Sequence, residues 1–140
     1  MNFITQEDFK VVVGDNALKV ITQASSENRD NAVKEAQEEI SGYLRPKYDC
    51  KAIFEAQGSS RNSQIVMIAC DIALYHMVSA QPQKMGSEVR EERYKRAISW
   101  LEGVQAGKII PDIPLAVDED GEPSGCAIIY GSQQQLHHNW

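Results

Sequence analysis

Residues 64–79 read QIVMIACDIALYHMVS, and this stretch decides the fold. Wound as a helix, it places Ile65, Val66, Met67, Ile68, Ala69, Ile72, Ala73, Leu74 and Met77 on nearly every side. A helix without a polar face must be covered by neighbours all round, so this one is expected at the centre of a helical bundle. Ser63 precedes it as the expected N-cap, and Gln81, Pro82 and Gly86 form the connection after it. The apolar run is interrupted by Asp71 and His76, and it falls short of the about 20 apolar residues that span a bilayer. A soluble protein is expected.

Working outward toward the N-terminus, Val33, Ala36, Ile40, Tyr43 and Leu44 recur at helical spacing from about Asp30. Lys34, Glu35, Glu38 and Glu39 take the other side, and Pro46 ends or kinks the helix. Earlier still, Thr5 and Asp8 have the spacing of a capping box, and Ile4 and Phe9 that of a hydrophobic staple. Phe9, Val12 and Val13 share a face, and Gly14 is the stop signal. A short turn over residues 16–22 buries Leu18 and Ile21. Residues 48–62, with Gly58, Ser59 and Ser60, read as a loop.

Toward the C-terminus, Ser87 is the expected cap of a further helix with Val89, Tyr94, Ala97, Ile98, Leu101 and Val104 on one stripe. Glu91 with Lys95 and Glu92 with Arg96 are i,i+4 pairs of the favourable orientation, and Gly107 closes the helix. The fold class is therefore all-α: about four main helices around a central apolar one, a connector domain over residues 1–107. Beyond it, Pro111 and Pro114 exclude continued helix, and residues 108–140 form an extended tail. Ile113, Leu115 and Val117 alternate with other residues, as do Cys126, Ile128 and Tyr130, around the turn-rich DEDGEPSG of residues 118–125. That pattern reads as a β-hairpin, and a lone hairpin is marginal in water. Its apolar face must pack on its own helices or on another subunit. Ile113, Leu115, Val117, Ile128, Tyr130 and the terminal Trp140 are the candidate interface residues.

Composition narrows the function. With 140 residues, 42% of them hydrophobic, the chain can bury a single core. A net charge of -6 opposes nucleic acid and anionic membrane alike, so neither sequence-specific nucleic-acid binding nor membrane binding is expected. Cys50, Cys70 and Cys126 are odd in number and widely spaced, which suits cytoplasmic synthesis with free thiols. No apolar stretch follows a basic start, so no signal peptide is expected.

No phosphate-binding glycine loop, nucleophile elbow or H-E-x-x-H motif is present. His137 and His138 are adjacent and point apart, which is wrong for a metal site. Asp118, Asp120 and Glu122 flank Gly121, yet a calcium loop needs glycine sixth and Glu twelfth, where this register has Ile129. Asp71 and His76, five residues apart, leave one helix on different sides, and Cys70 beside them suits a core position better than a nucleophile. A carboxylate as buried as Asp71 needs a cationic partner, for which Arg45 and Lys47 are the candidates. No catalytic residue, cofactor or metal is expected, and the chain is not expected to be an enzyme.

The order of motifs carries a further implication. FITQEDF (residues 3–9), AQEEISGYL (36–44), PKY (46–48), ACDIALYHM (69–77) and EERYKRAISWLEGVQAGKI (91–109) follow one another at characteristic spacing. This resembles the small head-tail connector, or head completion, proteins of tailed bacteriophages, in particular the group of Mu-like phages and prophages. Family members tend to carry Arg before the Tyr of the PKY motif; here Lys47 stands there after Pro46, so the resemblance implies a Lys47–Asp71 contact. It also implies a structural protein of the virion head-tail junction that forms a homo-oligomeric ring of about twelve copies, a heterologous assembly. The portal protein and a tail-completion protein are the implied partners, with DNA passing through the lumen. Without the resemblance, a bacterial helical protein-protein interaction module unrelated to virions fits the same composition.

Overall fold

The computed structural model describes residues 3–14, 18, 26–79 and 87–117, the side chains of residues 26, 27 and 87 excepted. Among them are five helices: α1 (Gln6–Val13), α2 (Ser26–Leu44), α3 (Cys50–Glu55), α4 (Ser63–Ser79) and α5 (Ser87–Gln105), with a 3-10 turn at Gly58–Ser60. The all-α expectation holds. The centre is α4, against which α2, α5 and α1 all pack, while α2 also meets α5. Ile65, Ile68, Ala69, Cys70, Ile72, Ala73, Leu74, Met77 and Val78 of α4 are buried. Its near-continuous apolar surface is used on several sides at once, and no helix among the described residues is long and apolar enough to cross a membrane.

At the N-terminus the capping box forms. Thr5 Oγ1 accepts from the Asp8 N–H at 3.3 Å, and the Asp8 carboxylate accepts from the Thr5 N–H at 2.7 Å. Ile4 and Phe9 are both buried, and Gly14 (φ 79°) ends α1 with its N–H on the Lys10 carbonyl. Leu18 is buried with its N–H on the Gly14 carbonyl; the rest of the expected turn over residues 16–22 lies outside the described residues.

Three expectations need correction. Helix α2 begins at Ser26, ahead of Asp30, and buries Ala32, Val33, Ala36, Ile40 and Leu44 before the cis Arg45–Pro46 peptide. Residues 48–62 are not all loop, because Asp49 Oδ1 caps α3 by accepting from the Ala52 N–H at 3.1 Å and Ile53 is buried. Neither Ser63 nor Ser87 precedes its helix: both are first helical residues, and for α4 the cap is Asn62, whose Oδ1 accepts from the Ile65 N–H at 3.0 Å.

Helix α5 shows a register difference. The stripe facing the core is Arg90, Tyr94, Ala97, Leu101 and Val104, at i, i+4, i+7, i+11 and i+14. Val89 sits about 100° away around the helix and is 55% exposed. Of the two expected pairs on this helix, Glu91–Lys95 forms at 3.2 Å, whereas Arg96 makes no ion pair among the described residues.

Gly107 (φ 80°) closes α5, and the chain doubles back so that the N–H groups of Lys108 and Ile109 both reach the Gly103 carbonyl. A Cβ on Gly103 would stand 2.7 Å from Ile109 Cδ1, so glycine is what lets Ile109 lie this close. From there residues 108–117 run along the bundle as an extended arm. Asn62 Nδ2 donates to the Asp112 carbonyl, the Asp49 N–H to the Pro114 carbonyl, and the Ala116 N–H to the Lys47 carbonyl. The last two bonds make a single antiparallel bridge between Tyr48 and Leu115. The first limb of the expected hairpin thus pairs with residues 47–49, just ahead of α3; the second limb, with Cys126, Ile128 and Tyr130, lies outside the described residues.

Candidate interaction site

The sharpest polar feature lies between α4 and α5. Asp71, nearly enclosed, accepts from Arg93 Nε at 2.7 Å and Arg93 Nη2 at 3.2 Å, a bidentate pair. Arg90 Nη1 stands 4.0 Å from the same carboxylate, and among the described residues that buried nitrogen has no hydrogen-bond partner. Burial draws the Arg90 guanidinium below its ordinary pKa, partly offset by Asp71, whereas the Asp71 hydrogen bond raises that of Arg93. This corrects the expected partner. Arg45 Nη2 instead meets Glu38 at 2.9 Å, and Lys47 Nζ lies over the Tyr48 ring. The cations on α5 reach Asp71 because α5 packs directly on α4.

Beside this pair a crevice of about 210 Å³ opens between the two helices, lined by Met67, Asp71, Arg93, Arg96, Ala97 and Trp100. Its rim is cationic and its walls are apolar. Arg93 Nη1 is left outside the bidentate pair, and Arg96 is exposed.

A second polar group, not legible in the sequence, joins three helices. Glu39 of α2 accepts from the Tyr94 hydroxyl at 2.6 Å and lies 3.3 Å from His76 Nε2, while Tyr75 stacks on Tyr94 at 4.1 Å. Burial first, and then the bond to Glu39, push the Tyr94 hydroxyl to a higher pKa. His76 and Asp71 are thus engaged separately and do not form an acid–base pair. The Cys70 thiol is buried, and burial pushes its pKa well up, which disfavours the nucleophilic thiolate. Among the described residues no three His, Cys, Asp or Glu side chains come together as a metal site would require.

A third pair ties the N-terminus down. Arg61 Nη1 donates to Asp8 Oδ2 at 2.6 Å and to the Phe3 carbonyl at 2.8 Å. Burial alone would raise the Asp8 pKa; the bonds from Arg61 and Thr5 outweigh it and hold the carboxyl below its ordinary value.

The expected interface residues fall on the arm. Ile113 is half-buried against the core, while Leu115 and Val117 are 44% and 62% exposed and Ile110 is 79% exposed. Ala116 and Val117 form one wall of an open groove of about 870 Å³ whose other walls are α2 and α3, with Lys34, Arg45, Tyr48 and Phe54 among its lining. Ile128, Tyr130 and Trp140 lie outside the described residues, as do His137 and His138.

Compared with known proteins, the chain matches one family model, described as Bacteriophage Mu, Gp36, over residues 3–127. No curated protein matches it. The match covers all five helices and the arm.

Proposed function

The chain belongs to the Bacteriophage Mu, Gp36 family, and from that premise we propose that it is a structural protein of the virion head-tail junction. In this reading, copies of the chain form a ring between the portal and the tail-completion protein, and DNA passes through its lumen. The protein is made and assembled in the bacterial cytoplasm and acts as an adaptor rather than an enzyme.

The observation that carries the reading is the arm. Two backbone hydrogen bonds fix it to the bundle, yet it leaves Ile110, Leu115 and Val117 79%, 44% and 62% exposed. Apolar side chains on a fixed strand are well placed to bind another protein, through their own burial or by addition of a strand. The net charge supports the lumen role, since an acidic protein repels DNA that must slide past it.

Negative-stain microscopy of the full chain mixed with its purified portal protein tests this. A ring of extra density on one face of the portal is expected. Portal particles unchanged by the mixture would overturn the proposal.

A further inference from the structure

The crevice between α4 and α5 has a chemistry that the adaptor reading does not use. In a chain of net charge -6, it gathers Arg93 and Arg96, the latter without an ion pair among the described residues, at one opening. Behind them Arg90 and Arg93 set two guanidinium groups against the single carboxylate of Asp71. Met67, 39% exposed, and the half-buried Trp100 supply apolar walls. A ligand suited to this opening carries several carboxylates next to an apolar side chain.

The chain itself contains such a segment. Residues 117–123 read VDEDGEP: four acids in five positions, bounded by Val117 and Pro123. We propose that residues 118–122 of one copy dock in the α4–α5 crevice of the neighbouring copy. The inference rests on the ring reading above and specifies one of its subunit contacts.

Placement favours a contact between copies over one within a chain. Val117, from which the segment departs, lines the groove formed by α2, α3 and the arm. The crevice is lined by α4 and α5 alone, and the two surfaces share no residue. Two different patches on one subunit, each fitting the other, make a heterologous contact, and such contacts close into rings when the rotation permits. Charge complementarity of this kind sets partner choice and register.

Charge reversal in the full chain, assembled on its portal, provides the test. Arg96→Glu is expected to weaken ring assembly about tenfold, and Asp118→Lys with Asp120→Lys to weaken it similarly. Combining all three substitutions restores assembly to within about threefold of the wild type, because each contact regains opposite charges. In parallel, Arg96→Lys protein is made with and without ¹⁵N, mixed before assembly and treated with a carbodiimide. The reagent joins the introduced amine to a nearby carboxylate as an amide, with loss of water. Cross-links from position 96 to residues 118–122 that pair a heavy with a light peptide are expected. Cross-links confined to peptides of one isotope, no cross-links, or failure of the triple variant to recover would each overturn the inference while the ring stands. If wild-type protein forms no ring on the portal, the adaptor reading falls, and this inference falls with it.

Discussion

The helical body and the arm of residues 108–117 are held by opposite means. In the body, side chains do the holding: Leu74, Ile72, Ile65 and Leu101 are wholly enclosed, and the buried Asp71 is met by Arg93 and Arg90. In the arm, hydrogen bonds to its backbone do most of it, with the Asp49 N–H, the Asn62 side-chain amide and the Lys47 carbonyl as partners and Ile113 half-buried, while Leu115 and Val117 stay exposed. The body encloses most of its apolar side chains, with Val11, Met67 and Val89 left exposed. The arm keeps Ile110, Leu115 and Val117 exposed, and for that reason it is the proposed contact with other proteins.

The largest effects are expected in the body. Asp71→Ala leaves Arg93 and the buried Arg90 without their carboxylate, and a cost of about 3–5 kcal/mol is expected in denaturant unfolding. A loss under 1 kcal/mol would mean that the pair does not hold α5 to α4. Leu74→Ala, which opens a cavity where the side chain is fully enclosed, should cost about 3 kcal/mol. In the arm, Ala116→Pro deletes one donor to Lys47 and is expected to cost about 1 kcal/mol, with helical circular dichroism unchanged and faster hydrogen exchange at Asp49. If this substitution unfolded the helices, the arm would be part of the body. Removing the exposed Glu91–Lys95 pair should change stability by less than about 0.5 kcal/mol.

Acid should weaken the body through Asp8. Its folded pKa lies below the ordinary 3.8, so the stability it contributes is fully present above that value. It is lost as the pH falls below 3.8 through the folded pKa. The stability gap between wild type and Asp8→Asn should therefore be constant at neutral pH and close in strongly acid solution. A gap that widened on acidification would contradict the assigned Arg61 contact.

What was legible in the sequence was what local chemistry controls. The Thr5–Asp8 box, the stops at Gly14 and Gly107, and the all-round apolar character of α4 each depend on a few neighbouring residues. The partners of Asp71 were not legible, because Arg93 lies 22 residues away and is brought there only by the packing of α5 on α4. Asp8 and Arg61 are 53 residues apart, and nothing local signals their contact. Helix α3 is a single capped stretch of six residues among turn formers, too short for periodicity to reveal. Val89 shows how one residue of register exchanges a buried position for an exposed one. In the candidate site, the outward alternation of the arm was readable, while the cationic crevice exists only once two helices are side by side.

In the proposed reading the arm meets the portal, and co-sedimentation of the two proteins reads that contact. Full-length wild-type protein should move with the portal as a defined complex, while Leu115→Asp/Val117→Asp, with unchanged helical circular dichroism, should remain unbound. A double variant that still sediments with the portal like the wild type would contradict the account.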